Sequence, residues 1–555
     1  MKNRKRTASP PISPDPLSAV AAEEGISVWA ATQEMPAPPP LTGKPRVDVC
    51  VVGAGITGIS TAYLLTREGR SVAVLERQPQ LGGSETRYTT AHLVTALDTS
   101  YRNLVQYHGE DGARQAAASH ASAIDKIETI AREEGIACDF RRLDGYLFGA
   151  GERKDAKVLQ QEFEAARAAG VPVEKVSTTR IAGVDLGPSI RFPNQAQFHP
   201  LKYLARLVEI LRERRVKIFA KTEVTEVREE DDGKLVRVIA SDGAEVEAGH
   251  VVIATNTPFI DWVTMHTKQF PYRTYAIGMR VRESAEFPPV LLWDTAEPFH
   301  YVRTHHDPES GTILIVGGED HKTGQADDAR ARYARLEAWA RERFGSVAGE
   351  VAYRWSGQVI QSMDGLAFTG KNPKSNHSRV VIHTGDSGNG MTHGTIAAML
   401  LTDLIQGRSN EWADLYDPAR KNLRAAKEFA AENLNVAAQY ADWVTPGEAE
   451  SEAEVAPGTG VVVRRGLQKI AVHRDDEGHI YERSAVCTHL GCIVAWNNAE
   501  KSWDCPCHGS RFSPQGAVLN GPANAPLAEV QLAEDAPAST PPPQRRRKDD
   551  HHASR

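Results

Sequence analysis

The sequence predicts an α/β, Rossmann-like domain interleaved with an α+β domain, followed by a separate small all-β domain. Three observations predict this. A strand, a glycine turn, a helix and a second strand succeed one another over Val47–Glu76. Apolar runs ending in small residues recur far along the chain, at Val251–Pro258 and Arg379–Thr384, as buried parallel strands do. An acidic, Pro/Gly-bearing stretch without periodicity, 445–456, then isolates a segment of short strands that carries four cysteines.

Each element has its reason. Val47–Val52 is apolar throughout its second half and runs into glycine. A helix follows from about Ile56 to Glu68, and Ser71–Glu76 is the next strand. This is a βαβ unit, with a right-handed crossover expected. Helices are predicted near Asp111–Glu134 and Gly151–Ala169. Strand-rich stretches lie at 216–227, 235–239 and 246–254, and a larger block spans 272–317. A helix is predicted over Asp327–Phe344 and another from about His393 to Ile405. Residues 417–443 read as helical within an extension over 411–444, and the small β domain occupies 457–535. The ends, 1–25 and 536–555, are rich in Pro, Ser and charge and are expected to be disordered.

The chain has 555 residues, enough for roughly three or four domain-sized units. With 41% hydrophobic and 25% charged residues it is neither a disordered nor a collagen-like protein. A net charge of −7 gives no reason to expect a nucleic acid partner. No stretch approaches the ~20 apolar residues that span a bilayer. The basic N-terminus lacks an apolar h-region and a twin-arginine pair, so a cytoplasmic protein is expected.

Gly53-Ala54-Gly55-Ile56-Thr57-Gly58 is G-x-G-x-x-G between a predicted strand and helix, and Glu76 ends the next strand. In that context the motif is a dinucleotide site. Gly53 permits the tight turn, Gly55 lets the backbone approach a pyrophosphate, and Gly58 lets helix and strand pack closely. Glu76 can accept both ribose hydroxyls. The motif alone does not separate NAD from FAD. The G-x-G-x-x-G is single, so a second, NADH-binding Rossmann domain is not expected, and Arg379–Gly394, which runs from a strand into a glycine-rich helix start, favours FAD. That helix would direct its positive end at a flavin.

GAGITG, Glu76, TTAHL, ATNTP and TGDSGNGMTHG together resemble the D-amino-acid oxidase/glycine oxidase superfamily of FAD-dependent oxidoreductases, over about residues 45–410. The resemblance implies a discontinuous FAD domain interleaved with a substrate domain on an antiparallel sheet. It implies FAD contacts at Gly53, Gly55, Gly58, Glu76, Thr89, Thr90, His92, Val224, Gly385, Asp386, Gly390, Met391 and Thr392. For His92 three readings stay open: a covalent flavin link, a flavin contact, or a structural role. Amino-acid-oxidising members carry an arginine just upstream of an Asp-Gly pair to hold the substrate carboxylate. Here the pair is Asp364-Gly365 and Val359 stands about where the arginine should be. Arg303 is the candidate substitute, with a structural role equally open. Tyr272, Tyr275, Tyr301, Arg303 and His305 are the candidates for the substrate side.

Cys487-Thr488-His489-Leu490-Gly491-Cys492 and Cys505-Pro506-Cys507-His508-Gly509-Ser510 form two loops, 15 residues separating His489 from Cys505. Two Cys and two His could bind zinc. The wording of both loops, with Gly521-Pro522 after them, resembles a Rieske [2Fe–2S] domain of the cytochrome bc-complex type. That resemblance implies Cys487 and Cys505 on one iron, His489 and His508 on the other, and a Cys492–Cys507 disulfide. It implies a hydroxyl at Ser510 that raises the potential; Phe512 replaces the tyrosine that would raise it further. The expected potential is below the respiratory type but in the upper half of roughly −150 to +300 mV. A disulfide sits uneasily with a cytoplasmic location, where thiols stay reduced. Cys50 and Cys138 read as packing residues.

The two resemblances together imply a dehydrogenase. A small organic substrate, an amine, would give hydride to FAD, and electrons would leave singly through the cluster to a one-electron acceptor. The alternative is an electron-transfer or redox-sensing protein with a protein partner as donor. A Rieske oxygenase would need a mononuclear iron site, for which no second ligand set stands out.

Overall fold

The computed structural model describes residues 23–82, 85–260, 265–282, 285, 287–307, 311–375, 379–449 and 451–530. Residues 1–22 of the N-terminal segment, Gly83, Ser84 and the tail 536–555 lie outside the described residues.

The first sheet is the dinucleotide layer. Its parallel strands run in the order Lys217–Phe219, Val72–Leu75, Arg46–Val52, Glu245–Ile253, Val380–Thr384. Strands Val224–Glu229 and Val236–Ala240 continue it as an antiparallel meander. The central strands are buried on both faces, which explains their unbroken Val/Ile runs.

The second sheet has ten strands and is mainly antiparallel. Its long members are Gln269–Val281, Tyr301–Asp307, Gly311–Lys322 and Ala348–Ser362, joined through Leu291–Asp294 to Arg141–Phe148 and Ser189–Gln197. Strand alternation gives it two different faces. Tyr275, Ile277 and Met279 pack on one helix-covered face; Tyr272, Thr274 and Tyr301 point to the other.

The helices in chain order are α1 (Val28–Thr32), α2 (Ile56–Arg67), α3 (Tyr101–Glu133), α4 (Asp155–Ala168), α5 (Pro200–Glu213), α6 (Ala329–Phe344), α7 (Gly390–Ile405), α8 (Ala413–Tyr416) and α9 (Ala426–Gln439). Three differences from expectation matter. Residues 23–24 pair with Tyr353 and Arg354 rather than belonging to a disordered end. α1, with Trp29 fully buried, continues that ordered N-terminal segment. The extension is helical mainly at α9, because Pro418 and the loop around it bar a helix there.

The small domain holds a three-stranded sheet (Thr459–Arg465, Gln468–Arg474, Ile480–Ser484) and a four-stranded sheet (Ala495–Asn497, Ser502–Asp504, Arg511–Phe512, Val518–Asn520). Trp503, Phe512, Leu527 and four cysteines form its core, and Val436 of α9 packs against it. No described helix is long and apolar enough to cross a membrane.

Candidate functional site

One cavity of about 710 Å³ begins at the glycine turn and ends between the two sheets. At its head the backbone is shaped by glycine. Gly53 sits at φ +104°, and a Cβ there would lie 2.4 Å from the Ala254 carbonyl oxygen. A Cβ on Gly58 would meet the Gly53 carbonyl oxygen at 1.9 Å, so helix α2 can start this close to its strand only with glycine there. Glu76 is buried and accepts from the Ala54 N–H (2.8 Å) and the Gln78 N–H (2.9 Å); burial pushes its carboxyl above the usual range.

Gly53, Gly55, Glu76, Thr89, Thr90, His92, Val224, Asp386, Gly390 and Met391 line this cavity. Gly58, Gly385 and Thr392 do not. Gly385 supplies a positive φ in the turn before α7, and the Thr392 hydroxyl bonds to His120 Nδ1 (2.8 Å) inside the core. α7 starts at Gly390, three residues before the expected His393, so its N-terminus faces the cavity. His92 is held between the Thr90 hydroxyl (3.1 Å) and the Val302 carbonyl (3.3 Å). Burial, helped by the Arg303 charge, lowers its pKa to about 3, so the ring is neutral at pH 7.

Of the five substrate-side candidates, Tyr272 and Tyr301 line the cavity. Tyr275, Arg303 and His305 do not, and each for a geometric reason. Tyr275 is on the opposite face of its strand, where its hydroxyl meets His321 Nε2 (2.9 Å). Arg303 and His305 share the face of Tyr301, but the N-terminal segment covers that part of it. The Arg303 guanidinium lies 5.1 Å from the Trp29 ring and donates to the carbonyls of Thr90 (3.0 Å), Ala91 (2.7 Å) and Phe198 (3.2 Å). Its place is behind the Thr89–His92 loop, which it holds in position. His305 packs edge-on against Trp29 and His199.

The small domain's two loops are copies in geometry. In the first, Gly491 N–H donates to the Cys487 carbonyl (3.0 Å) and Cys487 N–H to that of Cys492 (2.8 Å). In the second, Gly509 N–H donates to the Cys505 carbonyl (3.1 Å) and Cys505 N–H to that of Ser510 (2.8 Å). Each turn needs its glycine, at φ +78° and +76°. The loops bring Cys487 and Cys505 within mutual hydrogen-bonding reach and put the His489 and His508 rings 4.9 Å apart. Backbone N–H groups of His489 and Leu490 point at the Cys487 sulfur, and the Ser510 hydroxyl reaches it too. Cys492 and Cys507 form a disulfide across the loops. Burial keeps both imidazoles neutral, and the buried Nδ1 of His508 makes no hydrogen bond. Two adjacent thiols and two neutral imidazoles, one with an unused buried nitrogen, fit the donor set of a Rieske centre and its thiolate-imidazole division.

The two sites touch. Gln358 lines the cavity, accepts the role of wall beside Val359, and donates from its side chain to the Gly509 carbonyl (2.8 Å). Its own N–H donates to Glu85 Oε2 (2.6 Å), and Asn520 of the small domain donates to Glu85 Oε1 (2.8 Å). Gly521, Ala523 and Asn524 line the cavity directly. Arg273 pairs with Glu500, which also holds Arg511 (2.6 Å). His266 lies against both loop histidines, with ring centroids 4.9 Å from His489 and 6.1 Å from His508. Nothing in the sequence's spacing marks Gln358, Glu85 or His266; they act through docking, which no local pattern records.

Residues 48–404 match the DAO family of FAD dependent oxidoreductases, and residues 446–531 match the Rieske [2Fe-2S] domain. The chain belongs to the DAO family and carries a C-terminal Rieske domain. The oxidoreductase is 30% identical over 521 residues to YhfW of Bacillus subtilis (strain 168), named as a Rieske 2Fe-2S iron-sulfur protein; the match covers 92% of this chain and 99% of that one. The cytochrome b6-f complex iron-sulfur subunit of Arabidopsis thaliana is 51% identical over 59 residues, 11% of this chain and 26% of the subunit. In fold, the oxidoreductase is similar to glycine oxidase from Geobacillus kaustophilus (TM-score 0.56, 16% identity, 68% of this chain and 100% of that one). It is also similar to NikD, an amino acid oxidase of nikkomycin biosynthesis (TM-score 0.55, 17% identity, 68% and 99%). Its cofactors are FAD and a [2Fe–2S] cluster.

Proposed function

We propose that the protein is a dehydrogenase that oxidises the C–H bond beside the nitrogen of a small amine and discharges the electrons singly through its Rieske cluster. The observation that carries this reading is Gln358, which lines the flavin cavity and bonds the cluster loop at Gly509. FAD accepts two electrons as hydride and a Rieske cluster carries one, so a wall shared by both sites suits a two-to-one converter. The names of the fold neighbours, glycine oxidase and amino acid oxidase, support an amine as donor.

The residues have these roles in the reading. The Gly53–Gly58 turn and the N-terminus of α2 receive the FAD pyrophosphate, and Glu76 its ribose. The loop Thr89–His92, held by Arg303, and the start of α7 receive the flavin end. His92, neutral and hydrogen-bonded at both nitrogens, contacts the flavin. Cys487 and Cys505 bind one iron, His489 and His508 the other. Tyr272 and Tyr301 wall the substrate end. Cytoplasmic residence fits this reading if burial protects the disulfide; Cys492 and Cys507 are each 1% exposed.

The test is anaerobic mixing of the holoenzyme with a panel of small amines. Flavin bleaching followed by the reduced-cluster EPR signal is expected. A flavin that no amine reduces, but that a reduced partner protein does reduce through the cluster, would overturn it in favour of an electron-transfer or sensing role.

A further inference from the structure

We propose that the substrate end of the cavity is built for a cation: Asp98 and Asp320 hold the ammonium groups of an amine that carries a second positive charge and no carboxylate. This rests on the amine-oxidation reading and names its substrate class.

Both carboxylates line the cavity near Tyr301 and the α7 loop, Asp98 open to it and Asp320 partly so. Asp98 is tucked against that loop so closely that a Cβ on Gly388 would lie 1.7 Å from its Oδ2. Gly388, at φ +87°, is thus the residue that makes room for a carboxylate here. Asp98 has Asn389 as its partner, at 3.5 Å. Asp320 projects from strand Gly311–Lys322. The Thr274 hydroxyl bonds its carboxylate, but the buried Oδ1 makes no hydrogen bond. Oδ1 is turned away from the cavity, but Asp320 lines it, and an ammonium group there would meet the rest of the carboxylate in a charge-assisted hydrogen bond.

No cation inside the cavity does so. Among the described lining residues the cations are Arg77, Arg102 and Lys154. Arg77 bonds the Leu519 carbonyl at the dinucleotide end. Arg102 donates to Gln161 (3.1 Å), and Lys154, half exposed, pairs with Glu152 (3.1 Å). The nearby Arg332 is taken by Asp328 (2.7 Å) and the Glu319 carbonyl (2.7 Å), and His300 by Asp294 (2.9 Å). Val359, in the same wall, stands where a carboxylate-binding arginine would be expected.

The electrostatics agree in sign. Burial, then the Asp320 charge, raises the Asp98 carboxyl to about 7; burial raises Asp320 to about 6. Both carboxylates also act on the Tyr301 hydroxyl, which the Thr274 hydroxyl holds at 2.7 Å. An α-amino acid would bring its carboxylate into this field with no cation to meet it. A diamine would relieve the repulsion, and the Tyr272 and Tyr301 rings offer cation–π faces.

The experiment uses the holoenzyme, with 1,4-diaminobutane, butylamine, 4-aminobutanoate and alanine as anaerobic reductants. The diamine should bleach the flavin at a concentration at least about tenfold below that for 4-aminobutanoate, a charge-assisted hydrogen bond being large enough for that. D98N and D320N should each shrink this preference, with flavin content and cluster EPR reporting that each variant is folded. Equal or better bleaching by 4-aminobutanoate or alanine, or an unchanged preference in both variants, would overturn the proposal. A second arm titrates the oxidised holoenzyme with tert-butylammonium, which donates N–H but has no C–H beside its nitrogen to oxidise, and with acetate. Flavin absorbance should respond to the cation, more weakly in D320N, and not to acetate. If the cation binds so while no amine bleaches the flavin, the cation site stands and the amine-oxidation reading fails. Binding of acetate in place of the cation sinks the site itself.

Discussion

The cluster loops and the flavin cavity are built in opposite ways. The proposed cluster donors all lie between Cys487 and His508, on two loops with the same backbone turn, each with its glycine. The cavity wall is gathered from Val52 to Asn524, through both sheets and the small domain itself. A site made of consecutive residues depends on local turns. A site made of distant ones depends on how whole layers pack, and a single change in packing reaches it from far away.

The sharpest way to break this comparison is at the compact site. Cys505→Ser should abolish the Rieske EPR signal while the protein keeps its full FAD content, because the dinucleotide turn is in another domain. Loss of FAD together with the cluster would mean that the cavity relies on the cluster loops far more than the wall contacts imply.

A smaller effect is expected where the two sites join. Gln358→Leu keeps the volume but removes the 2.8 Å bond to the Gly509 carbonyl. It should slow cluster reduction after flavin bleaching by about tenfold, the scale of one lost buried hydrogen bond. It should also change the cluster's EPR line shape without altering bleaching by the amine. An unchanged interval between the two signals would remove Gln358 from the connection.

The smallest effect concerns acid. His92, His199 and His305 stand on or behind the loop that edges the cavity, and burial lowers their pKa values to about 3, 2 and 4. The unfolded chain protonates near 6.5, so the folded state binds fewer protons below that pH. Stability is complete above about pH 6.5 and falls as pH drops below it. Flavin should therefore be released before the cluster signal is lost as pH goes from 7 to 5, since metal-bound imidazoles cannot take up that proton. His305→Gln should flatten the decline. Simultaneous loss of both signals would contradict the separation.

The same contrast decides how much was legible in the sequence. The glycine turn, Glu76 and the Cys/His loops are local patterns, and the structure brings their members together. Tyr275, Arg303 and His305 lie on strands of the second sheet, Arg303 also being the substitute for the arginine missing at Val359, and neither ground tells which face of a sheet is open. Trp29 and α1 cover two of them, and a short apolar patch among prolines carries no periodic signal. Asp98, Asp320, Gln358 and Glu85 are single polar residues at irregular spacing; only the meeting of layers gives them a common location.

α9 and the turn after it, described above as an extension, have a bearing on modularity. Val436 packs into the core of the Rieske domain, Tyr440 donates to the Leu490 carbonyl (2.8 Å) and Trp443 to that of Gly491 (2.9 Å). One turn earlier in α9, Glu432 accepts from Tyr272 (3.2 Å) in the cavity wall. The seam between the two halves of the molecule therefore does not run through the acidic stretch at 445–456. Anyone excising the iron–sulfur half, or grafting it onto another flavoprotein, would have to cut ahead of Ala426 and carry this splint along.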